Sequence, residues 1–484
     1  MKGSLRSILQ CLFWAVALYS LSGVVIYLAV NYAYTADDSM ASVRLFIFCL
    51  LLPIAVKFLI QLLSSPLYGV VERVRRRGQT SADNPSVSVL IPAWNEEVGI
   101  LKTLKSVVEA NYQRLEVIVI NDGSTDKTHQ LVNNFIKQHN RSRSTELTKH
   151  SISKLSNSKG LNSDSKASVS RSLHSVNKAV IKYLKLPNGG KAKAMNQGLA
   201  MASGEFIVTI DADSVMDPEA VTQLIKRFTD DKVAAVAGNV VVGNRRKPIE
   251  LMQQLEYLYG FFFKRADSIF NSVYIIGGAA AAYRKQALLD VGGFDESIIT
   301  EDIEMSTRLL RYGYKTRYAT DAVIYTEGPS DWKALCKQRL RWKYGRVLTF
   351  IKHSSLFFSL HKSHSKYLTC LLLPLAVYAE FLLLMEGVLL TIFYGYTIIT
   401  FDYVPLVFVI LFLTSIIAMQ IMSDPKAKFH LNLLLVAPVA WLIFYIVDIV
   451  EFQALFRSLK RLIKREQLQW QSWSRVGIAS SSLQ

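Results

Sequence analysis

Residues 206 to 213 read FIVTIDAD, an apolar run that ends in two aspartates one residue apart. The pattern predicts a strand that delivers Asp211 and Asp213 to its carboxyl end, where open α/β sheets bind ligands. Carboxylates are hard oxygen ligands, and one or two of them complete a Mg2+ or Mn2+ shell together with phosphate oxygens. The competing reading is a pair of solvated loop acids. Asp217-Pro218 starts a helix just beyond.

Further chemistry lies downstream. Thr300-Glu301-Asp302 opens a helix. Thr300 suits the N-cap and the two acids suit the first turn, which explains them without catalysis. Asp302 equally suits the single carboxylate that a hydroxyl nucleophile needs as general base. Gln338, Arg341 and Trp342 share one helical stretch. Arg341 can neutralise charge on a leaving diphosphate, and Trp342 can stack on the apolar face of a sugar ring. Both also suit anchoring at a membrane interface. Asp122 ends a second strand in NDGS, where it can accept hydrogen bonds from a base or ribose, or simply mark a turn. Lys191, in GGKAKAMN, stands before a helix and can touch phosphate, although P-loop spacing is absent.

The elements that must position these groups follow a βαβ pattern. Strands are predicted at 87–94, 115–122, 206–213 and 233–242, with helices between them, so the fold class is α/β with a largely parallel sheet. Ser124 and Asp126 suit the cap of the helix after the second strand. Residues 140–178 are Ser-rich and basic with few large apolar side chains, which predicts a disordered insertion. A solvated loop and a docking segment are both open for it. Residues 331–367 are amphipathic and predict helix lying at a membrane surface.

Half of the chain is hydrophobic, and the apolar residues are bunched. Residues 11–33 carry no charge and 45–63 carry only Lys57. Residues 368–400, 404–422 and 431–447 are apolar again. A span needs about 20 such residues, so two spans are predicted within 1–66 and about three within 368–452. The first is too long for a signal-peptide core and is expected to stay as an anchor. Glu380 and Glu386 inside the third span fit either a polar path or a helix–helix contact. Arg73, Arg75, Arg76 and Arg77 after the second span place the middle of the chain in the cytoplasm. Three later spans would put the basic tail, 453–484, on the opposite side, against the same rule. Either one of them fails to cross, or the tail lies outside. The net charge of +18 fits anionic inner-leaflet lipid. No helix-turn-helix, zinc or RNA-binding signature points to nucleic acid. Four cysteines form neither a disulfide framework nor a zinc site. These features together imply a membrane enzyme that handles a nucleotide-activated donor.

In order, IPAWNEE, NDGSTD, GGKAKAMNQG, DAD, GGAAAAYRKQAL, TED and QRLRW resemble the motifs of the processive family 2 inverting glycosyltransferases. That group includes cellulose, hyaluronan and bacterial poly-β-1,6-N-acetylglucosamine synthases, and the likeness is greatest to the last. It covers about 85–350 and the flanking apolar segments.

The resemblance implies a GT-A-type catalytic domain at 85–330, inserted between membrane helices in the inner (plasma) membrane. It implies a metal-dependent hexosyltransferase that polymerises a sugar, N-acetylglucosamine from its UDP form, for export. The donor site would be Trp94, Asn95, Glu96, Asp122, Lys191, Asp211 and Arg341. Asp213 with Asp211 would hold Mg2+ or Mn2+, and Asp302 would be the base. Gln338, Trp342, Gly277, Gly278 and Glu301 would line the acceptor end. Partners would be the UDP-sugar, the growing polysaccharide and membrane lipid, with room for a small accessory membrane subunit. A non-processive transferase acting on a lipid acceptor, a hyaluronan- or cellulose-like synthase and a catalytically silent scaffold stand as alternatives.

Overall fold

The computed structural model describes residues 41–77, 84–157, 179–466, 468 and 475–478, with isolated positions between 9 and 31. The first expected span, 11–33, and the second half of the expected insertion, 158–178, lie largely outside the described residues.

The chain enters through α1 (Ala41–Ser64) and α2 (Tyr68–Arg76), joined by one 3-10 turn at Ser65–Leu67. An eight-stranded sheet follows in the order β3-β2-β1-β4-β7-β6-β8-β5. Its strands are β1 (Val87–Ala93), β2 (Leu115–Asp122), β3 (Val180–Leu186), β4 (Phe206–Thr209), β5 (Val215–Met216), β6 (Val233–Val242), β7 (Ala281–Arg284) and β8 (Lys315–Thr326). Strands β3, β2, β1 and β4 are mutually parallel, as are β6 and β8. Strand β7 runs antiparallel between β4 and β6, and β5 is antiparallel to β8. The mostly parallel α/β sheet matches the expected fold class.

Strands β1 and β2 are apolar nearly throughout because helices cover both faces. Val87, Val89 and Ile91 pack against α3 (Ile100–Val108) and α4 (Thr128–Asn157). Leu90, Ile118 and Ile120 pack on the other face against α5 (Lys191–Met201). From β1 the chain winds outward to β2 and β3, then returns to β4 on the other side of β1. That reversal opens a crevice at the carboxyl ends of β1 and β4, the place where such sheets take ligands.

Helices α6 (Ala220–Ile225), α7 (Pro248–Ile269), α8 (Lys285–Asp290), α9 (Glu301–Arg311) and α10 (Trp332–Lys352) complete the domain. Beyond it come α11 (Leu373–Thr400), α12 (Val404–Ser423), the short α13 (Ala427–His430) and α14 (Ala440–Lys464).

Within the expected insertion, α4 continues through residues 140–157, and the remainder lies outside the described residues. Packing of Leu131, Val132, Phe135 and Ile136 on the sheet nucleates the helix. Once nucleated, Arg, Glu, Leu and Lys extend it at little cost.

Among the described residues four helical segments are long and apolar enough to cross a membrane: Leu45–Arg76, Tyr367–Thr400, Val404–Ser423 and Ala437–Lys464. The last was expected at 431–447. Pro438 breaks the preceding residues into 3-10 turns, so the helix starts after it and absorbs the beginning of the expected tail.

Its path brings the described part of the expected tail beside the α/β domain. The end of α12 meets the α/β domain, where Ser423 O accepts from Arg265 at 3.1 Å and Lys426 pairs with Asp217 at 2.7 Å. Ala437 lies deeper, at the level of Thr414, whose Oγ1 donates to its carbonyl at 3.3 Å. Helix α14 then climbs back, and Tyr344 OH donates to Glu466 O at 3.1 Å. Segment 424–464 therefore enters and leaves the bundle on the face that the α/β domain occupies.

Candidate active site

The aspartates after β4 form a tight turn pinned by α3. Thr103 Oγ1 donates to Ala212 O at 2.8 Å. A Cβ on Gly99 would stand 2.9 Å from Asp213 Cα and 3.0 Å from Ala212 O, so only glycine lets the helix start seat there. Asp211 and Asp213 are thereby fixed at the mouth of the crevice.

Lys191, the first residue of α5, reaches across it. Its Nζ lies 2.7 Å from Asp211 Oδ1 and 3.0 Å from Glu301 Oε1. Burial opposes the Lys191 charge, but Asp211, Glu301 and Asp302 outweigh it and raise its pKa. Burial also pushes the Asp211 carboxyl up, and Lys191 more than reverses this, so its pKa is lowered. One ammonium thus links the β4 turn to the start of α9.

Helix α9 presents Asp302 in its first turn. Asp302 Oδ2 accepts from Gly278 N at 2.8 Å and Oδ1 accepts from Ile303 N at 2.8 Å. Two backbone donors hold the carboxylate in one orientation. Gly278 is squeezed between Lys191 Nζ and Asp302, whereas a side chain on Gly277 would meet open space. Helix α10 brings Arg341 close enough for its charge to act on Glu301, Asp211 and Asp302. Trp342 rests on Tyr257 with ring centroids 6.4 Å apart, and Arg339 lies over its ring at 4.5 Å. Gln338 is buried, and its Oε1 has no hydrogen-bond partner among the described residues.

Residues 206–447, half of the chain, match the family described as glycosyl transferase family group 2, and residues 88–152 match glycosyl transferase family 2. The chain belongs to glycosyl transferase family group 2. Poly-beta-1,6-N-acetyl-D-glucosamine synthases of Staphylococcus epidermidis and Staphylococcus aureus are each 31% identical to it, over 263 and 262 residues respectively. Each alignment covers 54% of this chain and 54% of the relative, so the chain spans about half the length of the curated relatives it matches. Among solved structures, a mannosyltransferase from Pyrobaculum calidifontis in complex with GDP-Man and Mn2+ is 19% identical, with a TM-score of 0.48, covering 86% of this chain and 99% of that one.

In this family group 2 chain the residues after β1 and β2 are occupied differently from the acids above. Asn95, at φ 55°, accepts from Thr125 N at 2.8 Å, and its own N donates to Ser124 Oγ at 3.0 Å. It clamps the two loops together. Asp122 receives Gly189 N at 2.8 Å and Gly190 N at 2.9 Å, so it also shapes the turn that aims Lys191. Trp94 is half-buried beside them.

Sequence reasoning missed Arg475, which it left inside a basic tail. Arg475 pairs with Asp213 Oδ2 at 2.6 Å and Glu96 Oε1 at 2.9 Å. Burial pushes the Glu96 carboxyl up to about 7 against the pull of Arg475. Neighbouring residues hold the segment down. Glu327 accepts from Val476 N at 2.6 Å and Gly477 N at 2.9 Å, and Ile478 is buried against Val241, Val323 and Tyr325. One arginine among many carries no signal of this in sequence.

Glu380 joins Lys343 at 2.8 Å and also Arg346, which makes it a helix–helix contact. Glu386 faces Asp448 of α14.

Proposed function

We propose that this protein is a membrane-embedded, processive, inverting β-glycosyltransferase that polymerises N-acetylglucosamine from UDP-N-acetylglucosamine for export, with its α/β domain in the cytoplasm. One observation carries the chemistry: Lys191 joins Asp211 to Glu301 while Asp302 is held one residue away, beside Gly278. Paired carboxylates, a held base and the Lys191 ammonium meet at the β1/β4 crevice. The choice of sugar is supported by the poly-beta-1,6-N-acetyl-D-glucosamine synthases among its relatives.

In this reading Trp94 and Asp122 hold the uridine end, and Lys191 and Arg341 face the diphosphate. Asp302 takes the proton of an acceptor hydroxyl. That oxygen bonds to the anomeric carbon from the face opposite the nucleotide, and the carbon–oxygen bond to the diphosphate breaks with inversion. Arg341 and Lys191 offset the charge left on UDP. Gln338, Trp342, Gly277 and Glu301 line the acceptor side, and the unmet Oε1 of Gln338 suits a sugar hydroxyl. Among the described residues no cluster of three or more metal-ligating side chains occurs. Asp211 and Asp213 are nonetheless hard donors of the number that Mg2+ or Mn2+ uses beside phosphate oxygens. Such an ion, when bound, would neutralise the diphosphate.

The test incubates membranes containing the full chain with Mn2+ and each labelled UDP-sugar, then sizes the product. High-molecular-weight material from UDP-N-acetylglucosamine is expected. A single-sugar glycolipid would overturn processivity, and polymer from another donor alone would overturn the sugar. Absence of UDP release from every donor would sink the transferase reading.

A further inference from the structure

Helices α9 and α10 meet at one point more closely than side chains permit. A Cβ built on Gly345 would stand 2.1 Å from Thr300 Oγ1, 2.5 Å from its Cγ2 and 2.8 Å from its Cβ. Any other residue at 345 must push the helices apart. Thr300 itself is buried at 4% exposure, and its hydroxyl has no hydrogen-bond partner among the described residues. It does not cap α9 either. A buried hydroxyl without a partner is costly, so bonding does not account for this threonine. Its shape against Gly345 does.

The contact lies within one turn of the proposed chemistry on both helices. Positions three and four apart share a helix face, so Gly345 lies on the face of Trp342 and Arg341. Thr300 immediately precedes Glu301 and Asp302. One turn further along α9, and two turns further along α10, a second tie fixes the same pair. Glu304 Oε1 lies 3.0 Å from His353 Nε2 and 3.2 Å from Lys352 Nζ.

We propose that Gly345 is a positioning residue whose missing side chain lets α10 seat on Thr300, and that this contact sets the distance from Asp302 to the Arg341–Trp342 pair. The inference rests on the transferase reading above. Neither residue touches substrate. An in-line displacement tolerates little error in that distance, since a displacement of about 1 Å costs about a hundredfold in rate.

The test uses the purified full chain with UDP-N-acetylglucosamine and Mn2+, following UDP release, UDP affinity and melting temperature. Gly345→Ala is expected to lower kcat by about a hundredfold while KM and UDP affinity stay within about twofold. Adding Thr300→Gly removes the obstructing side chain from the other helix, and glycine is tolerated at an N-cap. The double variant is expected to recover to within about threefold of Thr300→Gly alone. Thr300→Val keeps the shape, and because the hydroxyl has no hydrogen bond to lose among the described residues it is expected to stay within about threefold of the parent.

Wild-type turnover in Gly345→Ala would overturn the proposal. So would UDP affinity falling in step with kcat, a double variant no better than the single, or Thr300→Val as impaired as Gly345→Ala. If Gly345→Ala does not fold, the double variant and Thr300→Val decide on the same criteria. Asp302→Asn separates the two ideas. If it is inactive while Gly345→Ala is unimpaired, only the positioning role falls; if it stays fully active the base role of Asp302 falls, and only a parent chain that releases no UDP sinks the transferase reading.

Discussion

Two clusters of charge meet along α10 and are built to opposite ends. On the membrane side, Arg339 pairs with Glu256 at 2.5 Å and Glu451 at 3.5 Å, and Lys343 pairs with Glu451 at 2.6 Å and Glu380 at 2.8 Å. These groups come from α7, α10, α11 and α14, and each carries a partner from another helix. In the crevice the pairing is incomplete. Gln338 Oε1 and Glu96 Oε2 are buried without a hydrogen bond among the described residues. Asp213 borrows its cation from a tail segment far along the chain. A network with every partner in place fixes how helices sit. One that leaves polar atoms unmet and relies on a removable cation is arranged for something that arrives from outside.

The sharpest way to break this contrast is to remove one group from each side. Asp302→Asn should lower transfer by about 10²–10⁴ with UDP binding and melting temperature unchanged, because a general base contributes on that scale. If the purified variant elongated at the parent rate, the crevice would lose its chemical role. Lys343→Met should behave oppositely. It leaves Glu380 with Arg346 alone and Glu451 with Arg339 alone, so the half-buried cluster carries excess negative charge, which costs up to about 3–5 kcal/mol. Loss of the folded, extractable protein is expected, with near-parent turnover in the fraction that folds. A fully stable, inactive Lys343→Met protein would mean that the membrane-side cluster serves catalysis directly.

The contrast was only half visible in the amino-acid order. Strands β1, β2 and β4 were legible because helices bury both faces, leaving unbroken apolar runs. Strand β3 was hidden by its edge position, where Lys182 and Lys185 face outward. Strand β8 was hidden because Lys315 and Arg317 interrupt it, and both are answered by Asp230 from another loop. The acids of the crevice were legible because each ends a strand or starts a helix. Their partners were not. Arg475 reaches Asp213 only because segment 424–464 turns back, and Gly345 touches Thr300 only because two helices cross there. Such contacts belong to tertiary packing, which no local period encodes.

Arg475 gives a finer test of the crevice. Without its guanidinium, Asp213 and Glu96 face an incoming diphosphate uncompensated. Arg475→Ala should raise the KM for UDP-N-acetylglucosamine about tenfold, equivalent to about 1.4 kcal/mol. Raising Mn2+ should recover most of the loss, because a divalent cation supplies the missing charge. An unchanged KM at low Mn2+ would show that the tail contact is incidental to donor binding.

An effect on stability alone, with no change expected in donor binding, concerns Glu304, which ties α9 to the end of α10. Burial pushes its carboxyl up, but His353, Arg308 and Lys352 outweigh this and hold its pKa below the ordinary 4.5. A carboxylate with a depressed folded-state pKa stabilises fully above its unfolded value, and that contribution fades as pH falls through the folded one. Glu304→Gln should therefore cost about 1–3 kcal/mol near neutrality, where a charged hydrogen-bonding group is lost. Below pH 4.5 the gap in melting temperature between variant and parent should close, since the parent carboxyl is then being protonated. A gap that stayed constant down to acid pH would assign the effect to shape and leave the charge of Glu304 without a part in holding the two helices.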